Sequence, residues 1–159
     1  MIHSGEGRRV QAQPKSIFKP PLSIIVPAYN CEGIILACLT SLFRSVAYYA
    51  GFCEIIVVDD GSSDHTYEMA WATIQECKRK WPYVVGKVVR HTARLGRNQA
   101  IKTGLNKAFG ALVAIVDPQA SLKPQTQTLK KLVEAAGKTG VNASTTILYK
   151  AETLRKLLT

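Results

Sequence analysis

The sequence predicts an α/β domain of three layers, α/β/α, with a mostly parallel sheet between its helices. A run at 84–89, interrupted by Gly86 and Lys87, is a further strand, while the short runs rich in Val, Ile and Leu at 22–26, 54–58 and 111–116 are too uniformly apolar for half-exposed strands. They read as strands covered on both faces. Stretches at helical spacing alternate with them, and that order yields parallel strands joined by helical crossovers. The 159 residues, 47% hydrophobic, fit one domain that buries roughly 70% of its unfolded surface without a disulfide or metal staple.

Residues 1–21 are polar and proline-bearing, and are expected to form a flexible tail ahead of a single domain over 22–159. They contain no apolar core of a secretory signal. Leu22 to Val26 is the first strand, expected to stop at Pro27. Apolar residues at 34, 35, 38, 39, 42, 43 and 46 predict a helix from Cys31 to about Val46. Glu54 to Val58 is the second strand and ends on Asp59-Asp60-Gly61. Ser62, Ser63 and Asp64 are candidate N-caps for a helix running to about Lys80. Val84 to Val89 is the third strand. Gly96 to Ala108 is a helix with Ala100, Ile101, Gly104, Leu105 and Ala108 on one face, and Gly110 as its stop. Ala111 to Val116 is the fourth strand, ending on Asp117-Pro118. A helix over Gln125–Ala136, a short strand over Thr145–Tyr149 and a helix over Ala151–Leu158 complete the chain.

The formal charge of +10 is unevenly placed. Residues 22–77 hold one base and seven acids, whereas residues 78–131 hold twelve bases and a single acid, Asp117. So basic a block points to an anionic partner: a nucleotide phosphate, an acidic membrane surface or a nucleic acid. Cys31, Cys38, Cys53 and Cys77 form no C-x-x-C pair, and read as buried, reduced thiols of a cytoplasmic protein. No apolar stretch approaches the ~20 residues of a membrane-spanning helix.

Several chemistries are excluded. Gly137-Lys138-Thr139 lacks the preceding glycine of a P-loop, since position 132 is Leu132, and it follows a helix rather than a strand. There is no G-x-G-x-x-G. His3, His65 and His91 are scattered, without zinc-ligand spacing. The aromatics are not interleaved with the basic block, so no nucleic acid is expected as a partner. In open parallel sheets, ligands bind outside the C-terminal ends of the strands. Those ends carry Pro27-Ala28-Tyr29-Asn30, Asp59-Asp60-Gly61, Arg90-His91 and Asp117-Pro118-Gln119.

Four segments in order, Ser23-Ile-Ile-Val-Pro-Ala-Tyr-Asn30, Glu54-Ile-Ile-Val-Val-Asp-Asp-Gly-Ser-Ser-Asp64, Arg94-Leu-Gly-Arg-Asn-Gln-Ala-Ile-Lys-Thr-Gly104 and Val116-Asp-Pro-Gln-Ala120, carry a resemblance. Together they resemble the nucleotide-sugar-binding half of the family 2 glycosyltransferases of the GT-A fold. Residues 144–156 add a weaker similarity to the polyprenyl-phosphate mannose synthases. The resemblance implies transfer of a hexose from a UDP- or GDP-linked sugar, with a polyprenyl phosphate as acceptor. It implies that Pro27, Ala28 and Tyr29 line the base and ribose, that Glu32 reaches the nucleoside, and that Asp60 accepts from the N–H edge of the base. Arg94 and Arg97, at a predicted helix start that itself attracts anions, are implied to hold the phosphates. Asp117 is implied to be catalytic, binding ribose or a divalent cation, Mg²⁺ or Mn²⁺.

Two features depart from the family pattern. Gln119 stands where a second carboxylate of an Asp-x-Asp is expected, and an amide oxygen is a poor substitute on a hard cation. The acceptor half is also reduced or absent, so no later carboxylate pair supplies a general base. A phosphate acceptor, already an anion, needs none. The departures leave two other readings open: a non-catalytic nucleotide-sugar or partner binder, and a basic binder of polyanions or membrane surfaces. The expected place of action is cytoplasmic, peripheral at the cytoplasmic face of a membrane, and a homo-oligomer whose second copy completes the acceptor side fits the shortened length.

Overall fold

A computed structural model describes residues 20–47, 49, 51–119, 141–143 and 146–159. Its elements are β1 (Leu22–Ala28), α1 (Glu32–Val46), β2 (Cys53–Asp59), α2 (Thr66–Lys80), β3 (Val85–Arg90), α3 (Arg97–Lys107), β4 (Leu112–Val116), β5 (Val141–Ala143), β6 (Thr146–Lys150) and α4 (Ala151–Leu158). The sheet order is β3-β2-β1-β4-β6-β5. β1 pairs in parallel with β2 and β4, and β2 with β3. β6 lies antiparallel on β4, and β5 antiparallel on β6. The expected fold is therefore present, with an antiparallel extension at the β4 edge.

Alternation along the strands builds the three layers. Leu22, Ile24, Val26, Ile55, Val57, Leu112, Ala114 and Val116 pack with Ile35, Leu39, Leu42 and Phe43 of α1 and Ala70 and Ile74 of α2. On the opposite face Ile25, Val113 and Ile115 pack with Ile101, Leu105 and Leu154, while Ile56 and Val58 meet Ala100. Both faces of β1, β2 and β4 are buried, so these strands read as continuous apolar runs, whereas the edge strand β3 is half-buried.

Three local expectations are corrected. Pro27 does not end β1; it pairs in register with Val58 inside the strand. Ala28 accepts a bond from the Asp60 amide on the β2 side, so Pro27 turns its backbone the other way, towards β4. The β1–β4 pairing has already ended at Ile25, and a missing N–H costs no ladder bond there. Ser62 and Ser63 do not cap α2, because both bond to Asn30. His65 occupies the N-cap position with no side-chain cap bond. Gly110 is not the stop of α3, which ends at Lys107 with Ala108 extended. A Cβ at Gly110 would lie 2.6 Å from the Ser23 backbone nitrogen, so glycine is there for close approach.

That approach serves a polar network within the core. Glu54 is fully buried on β2. Its carboxylate accepts from Ser23 Oγ, from the Phe109 amide at 2.9 Å and from Lys87 Nζ at 2.8 Å. The Gly110 amide donates to Ser23 Oγ. Every oxygen is thereby satisfied, which a buried carboxylate requires. The expected tail up to residue 19 and the helix over 125–136 lie outside the described residues. β5 has no counterpart in the sequence reading.

Candidate functional site

The C-terminal ends of β1, β2 and β4 and the start of α3 surround a cleft of about 170 Å³, lined by Pro27, Ala28, Tyr29, Cys31, Asp60, Arg94, Arg97, Ala100, Asp117, Pro118 and Gln119. Four separated segments thus meet at one edge of the sheet, where a parallel sheet binds ligands.

The turns after β1 and β2 are sewn together. Asn30, with φ of 44°, takes the Ser63 amide on its side-chain oxygen at 2.9 Å, and its own amide donates to Ser62 Oγ. The Cys31 amide donates to Thr66 Oγ1 at 2.8 Å. The Glu32 amide donates to Asp64, and Glu32 Oε2 in turn accepts from the His65 amide at 2.9 Å. Much of the Asn30–Glu32 and Ser62–Thr66 sequence is explained by these bonds.

Asp60 is the hub of the cleft. It is 3% exposed. Its Oδ1 accepts from His91 Nδ1 and the Leu95 amide, and its Oδ2 from the Gly96 amide, each at 2.8 Å. Burial pushes its carboxyl up, but the His91 bond and the two amides outweigh this and hold it below the ordinary value. Two oxygens offer about four acceptor positions. Three are used, which leaves one on Oδ2 for a ligand N–H. Gly61, at φ +67°, presses against the Ala93–Arg94 backbone, where a Cβ would meet the Ala93 carbonyl carbon at 2.5 Å. Asp60 and Gly61 together fix the segment that carries both arginines.

Arg94 lies with its guanidinium 4.1 Å from the Tyr29 ring centroid, so Tyr29 carries a cation on its face. Arg97 Nε stands 3.9 Å from Asp117 Oδ2, and Asp117 Oδ1 accepts the Gln119 amide at 2.9 Å. Asp59, fully buried, stands outside the cleft with Arg90 Nε 3.2 Å from its Oδ2, an ion pair without hydrogen-bond alignment.

Of the residues expected at the site, Pro27, Ala28, Tyr29, Asp60, Arg94, Arg97, Asp117 and Gln119 line the cleft. Glu32 does not; its carboxylate is turned to His65 at the start of α2. Cys31 lines the cleft beside it, buried, with its thiol pushed up chiefly by desolvation. Cys31 and His91 were given no site role by sequence reasoning. His91 directly follows β3, at the edge the topology rule names, and that is the signal that marks it.

A divalent cation of the hard class takes six or more oxygen ligands, usually including carboxylates. The cleft's two carboxylates are already engaged, Asp60 by three donors and Asp117 by Arg97 and the Gln119 amide. Gln119 adds only a neutral oxygen. Among the described residues, no three His, Cys, Asp or Glu side chains group as a metal site. Among the described residues the donor set does not fit a resident divalent cation.

Residues 23–157 match the family model described as glycosyl transferase family 2. The chain is 35% identical over 114 residues to the dolichol-phosphate mannosyltransferase of Pyrococcus furiosus, covering 72% of this chain and 29% of that protein. It is 28% identical over 120 residues to the dolichyl-phosphate beta-glucosyltransferase of Saccharomyces cerevisiae, covering 74% and 34%. The chain therefore spans about a third of the length of these curated relatives. In fold it resembles the mannosyltransferase PcManGT of Pyrobaculum calidifontis, solved with GDP-Man and Mn²⁺, with a TM-score of 0.72 at 23% identity over 87% of this chain and 47% of that one.

Proposed function

Because the chain belongs to glycosyl transferase family 2, we propose that its cleft binds a nucleoside-diphosphate sugar and serves transfer of the sugar to a phosphate-bearing acceptor of the polyprenyl type. The observation that carries this reading is the convergence of Pro27, Ala28, Tyr29, Asp60, Arg94, Arg97 and Asp117 on one cleft. Pro27 and Ala28 offer an apolar wall to the base and ribose. The open position on Asp60 Oδ2 accepts one N–H from the base. Asp117 accepts from the ribose. Arg94 and Arg97 meet the diphosphate with planar donor forks.

In the transfer, an acceptor oxygen bonds to the anomeric carbon as the bond from that carbon to the β-phosphate oxygen breaks. The electron pair leaves on the nucleoside diphosphate. Both carboxylates that line the cleft among the described residues are held by protein donors, so neither is placed as a base. An acceptor that is already anionic needs none, which supports a polyprenyl phosphate over an alcohol. Relatives named for dolichyl phosphate support the same choice. Such an acceptor brings the protein to a membrane surface, and the basic stretch over 78–131 suits one. Among the described residues no helix is long and apolar enough to cross a membrane.

Calorimetry with UDP and GDP tests the reading. Binding of one of them in the micromolar to millimolar range is expected, weakened at least tenfold by Asp60→Ala. No binding of either, or binding that Asp60→Ala leaves unchanged, sinks the site assignment.

A further inference from the structure

We propose that this chain holds the diphosphate of its nucleotide with Arg94 and Arg97 in place of a divalent cation, so that nucleotide binding is metal-independent. The proposal rests on the nucleotide-binding reading above and goes further, in assigning the charge that neutralises the phosphates.

The first ground is the donor set. Asp117 has Arg97 Nε 3.9 Å from Oδ2 and the Gln119 amide on Oδ1. A cation seated on Asp117 has to displace or face that guanidinium. The position that would supply a second carboxylate to offset the repulsion holds Gln119, whose side-chain amide is neutral.

The second ground is the arginine pair. Arg94 and Arg97 flank Leu95 and Gly96, whose amides are the two bound by Asp60 at 2.8 Å. The backbone between the two cations is therefore pinned, and Tyr29 holds the Arg94 guanidinium from the side. Arg97 is also the first residue of α3, so the positive end of an 11-residue helix points at the same place. Two guanidinium groups present up to ten N–H donors to phosphate oxygens. They supply the positive charge of one divalent ion without its demand for oxygen ligands.

Titration calorimetry of the 159-residue chain with UDP and GDP, in EDTA and in excess Mn²⁺, tests this. The expected result is an affinity that changes by less than about twofold between the two. Arg94→Ala and Arg97→Ala should each weaken the diphosphate about tenfold or more, while uridine or guanosine alone is little affected. Gln119→Asp should create a Mn²⁺ response that the unchanged protein lacks. Binding that disappears in EDTA, or tightens tenfold with Mn²⁺, overturns the proposal and leaves the nucleotide reading standing. No binding in any condition overturns the nucleotide reading and this proposal with it.

Discussion

His91 stands directly behind Asp60, with Nδ1 2.8 Å from Asp60 Oδ1 and Nε2 2.9 Å from Thr103 Oγ1 on α3. A carboxylate only accepts, so Nδ1 carries a proton, and the imidazole ties the end of β2 to α3. His91 is a positioning residue for Asp60. His91→Ala should cost about 1–3 kcal/mol by leaving buried acceptor capacity unfilled. It should also weaken nucleotide binding several-fold by letting the carboxylate turn. Urea unfolding with calorimetry checks both, and His91→Asn, which keeps a donor, should recover part of the affinity. Loss of stability with unchanged affinity would reduce His91 to a structural role.

Acid stability follows from the same carboxylate. The Asp60 carboxyl lies below its ordinary value, burial being outweighed by His91 and two amides. Asp64 is lowered as well, where desolvation is outweighed by the Thr66 hydroxyl and the amides around it. A group lowered in the folded state contributes stability above its unfolded value, about 3.9 for Asp. That contribution is lost as pH falls through the folded value. Urea midpoints should therefore fall steeply below about pH 4. In Asp60→Asn and Asp64→Asn the fall should be flatter, from a lower stability at neutral pH.

Gly61→Ala should be costly in two ways. A non-glycine residue at φ +67° carries strain of about 1–3 kcal/mol. Its Cβ would also press the Ala93–Arg94 backbone away from Asp60. Thermal unfolding should show the first effect. A loss of UDP or GDP affinity greater than that of uridine or guanosine should show the second, because the arginines move with the loop.

At the other end of the sheet, Lys87→Met leaves Glu54 buried with one donor fewer. Lys87 is 36% exposed, and Glu54 keeps Ser23 and the Phe109 amide. The expected loss is about 1–3 kcal/mol, read by urea unfolding. Nucleotide affinity should not change, since this network lies outside the cleft.

All four cysteines are buried. Burial pushes the Cys31 and Cys77 thiols up and takes Cys53 to about 12. The thiolate is the reactive form. Ellman's reagent at neutral pH should therefore label the folded protein slowly and the urea-unfolded protein at once. Rapid labelling of Cys31 in the native state would contradict its burial in the cleft wall.

Strand positions were legible because strands buried on both faces leave unbroken Val and Ile runs, as in Ile55 to Val58. The cleft was legible because the topology places strand ends together, and Tyr29, Asp60 and Asp117 stand just beyond one, while Arg94 and Arg97 were marked by the family resemblance. Glu32 was misplaced because its position on the turn says nothing of which way its side chain leans. The His65 amide, 33 residues away, decides that. β5 left no run to find, being three residues, Val-Asn-Ala, that pair with β6. Pro27 misled because its cost depends on where β4 stops pairing, a fact of the sheet rather than of its neighbours.

The bonds from Asn30, Cys31 and Glu32 to the Ser62–Thr66 turn tie the Pro27–Ala28 wall of the cleft and the Asp60 turn into one body before any ligand arrives. Little backbone conformational entropy then remains to be lost there on binding. The ordering cost falls mainly on the long, exposed side chains of Arg94 and Arg97. A bare nucleoside should consequently bind with a small entropic penalty. The diphosphate should add favourable enthalpy set against the freezing of two arginines, so the two halves of one ligand would differ in thermodynamic signature as well as in strength.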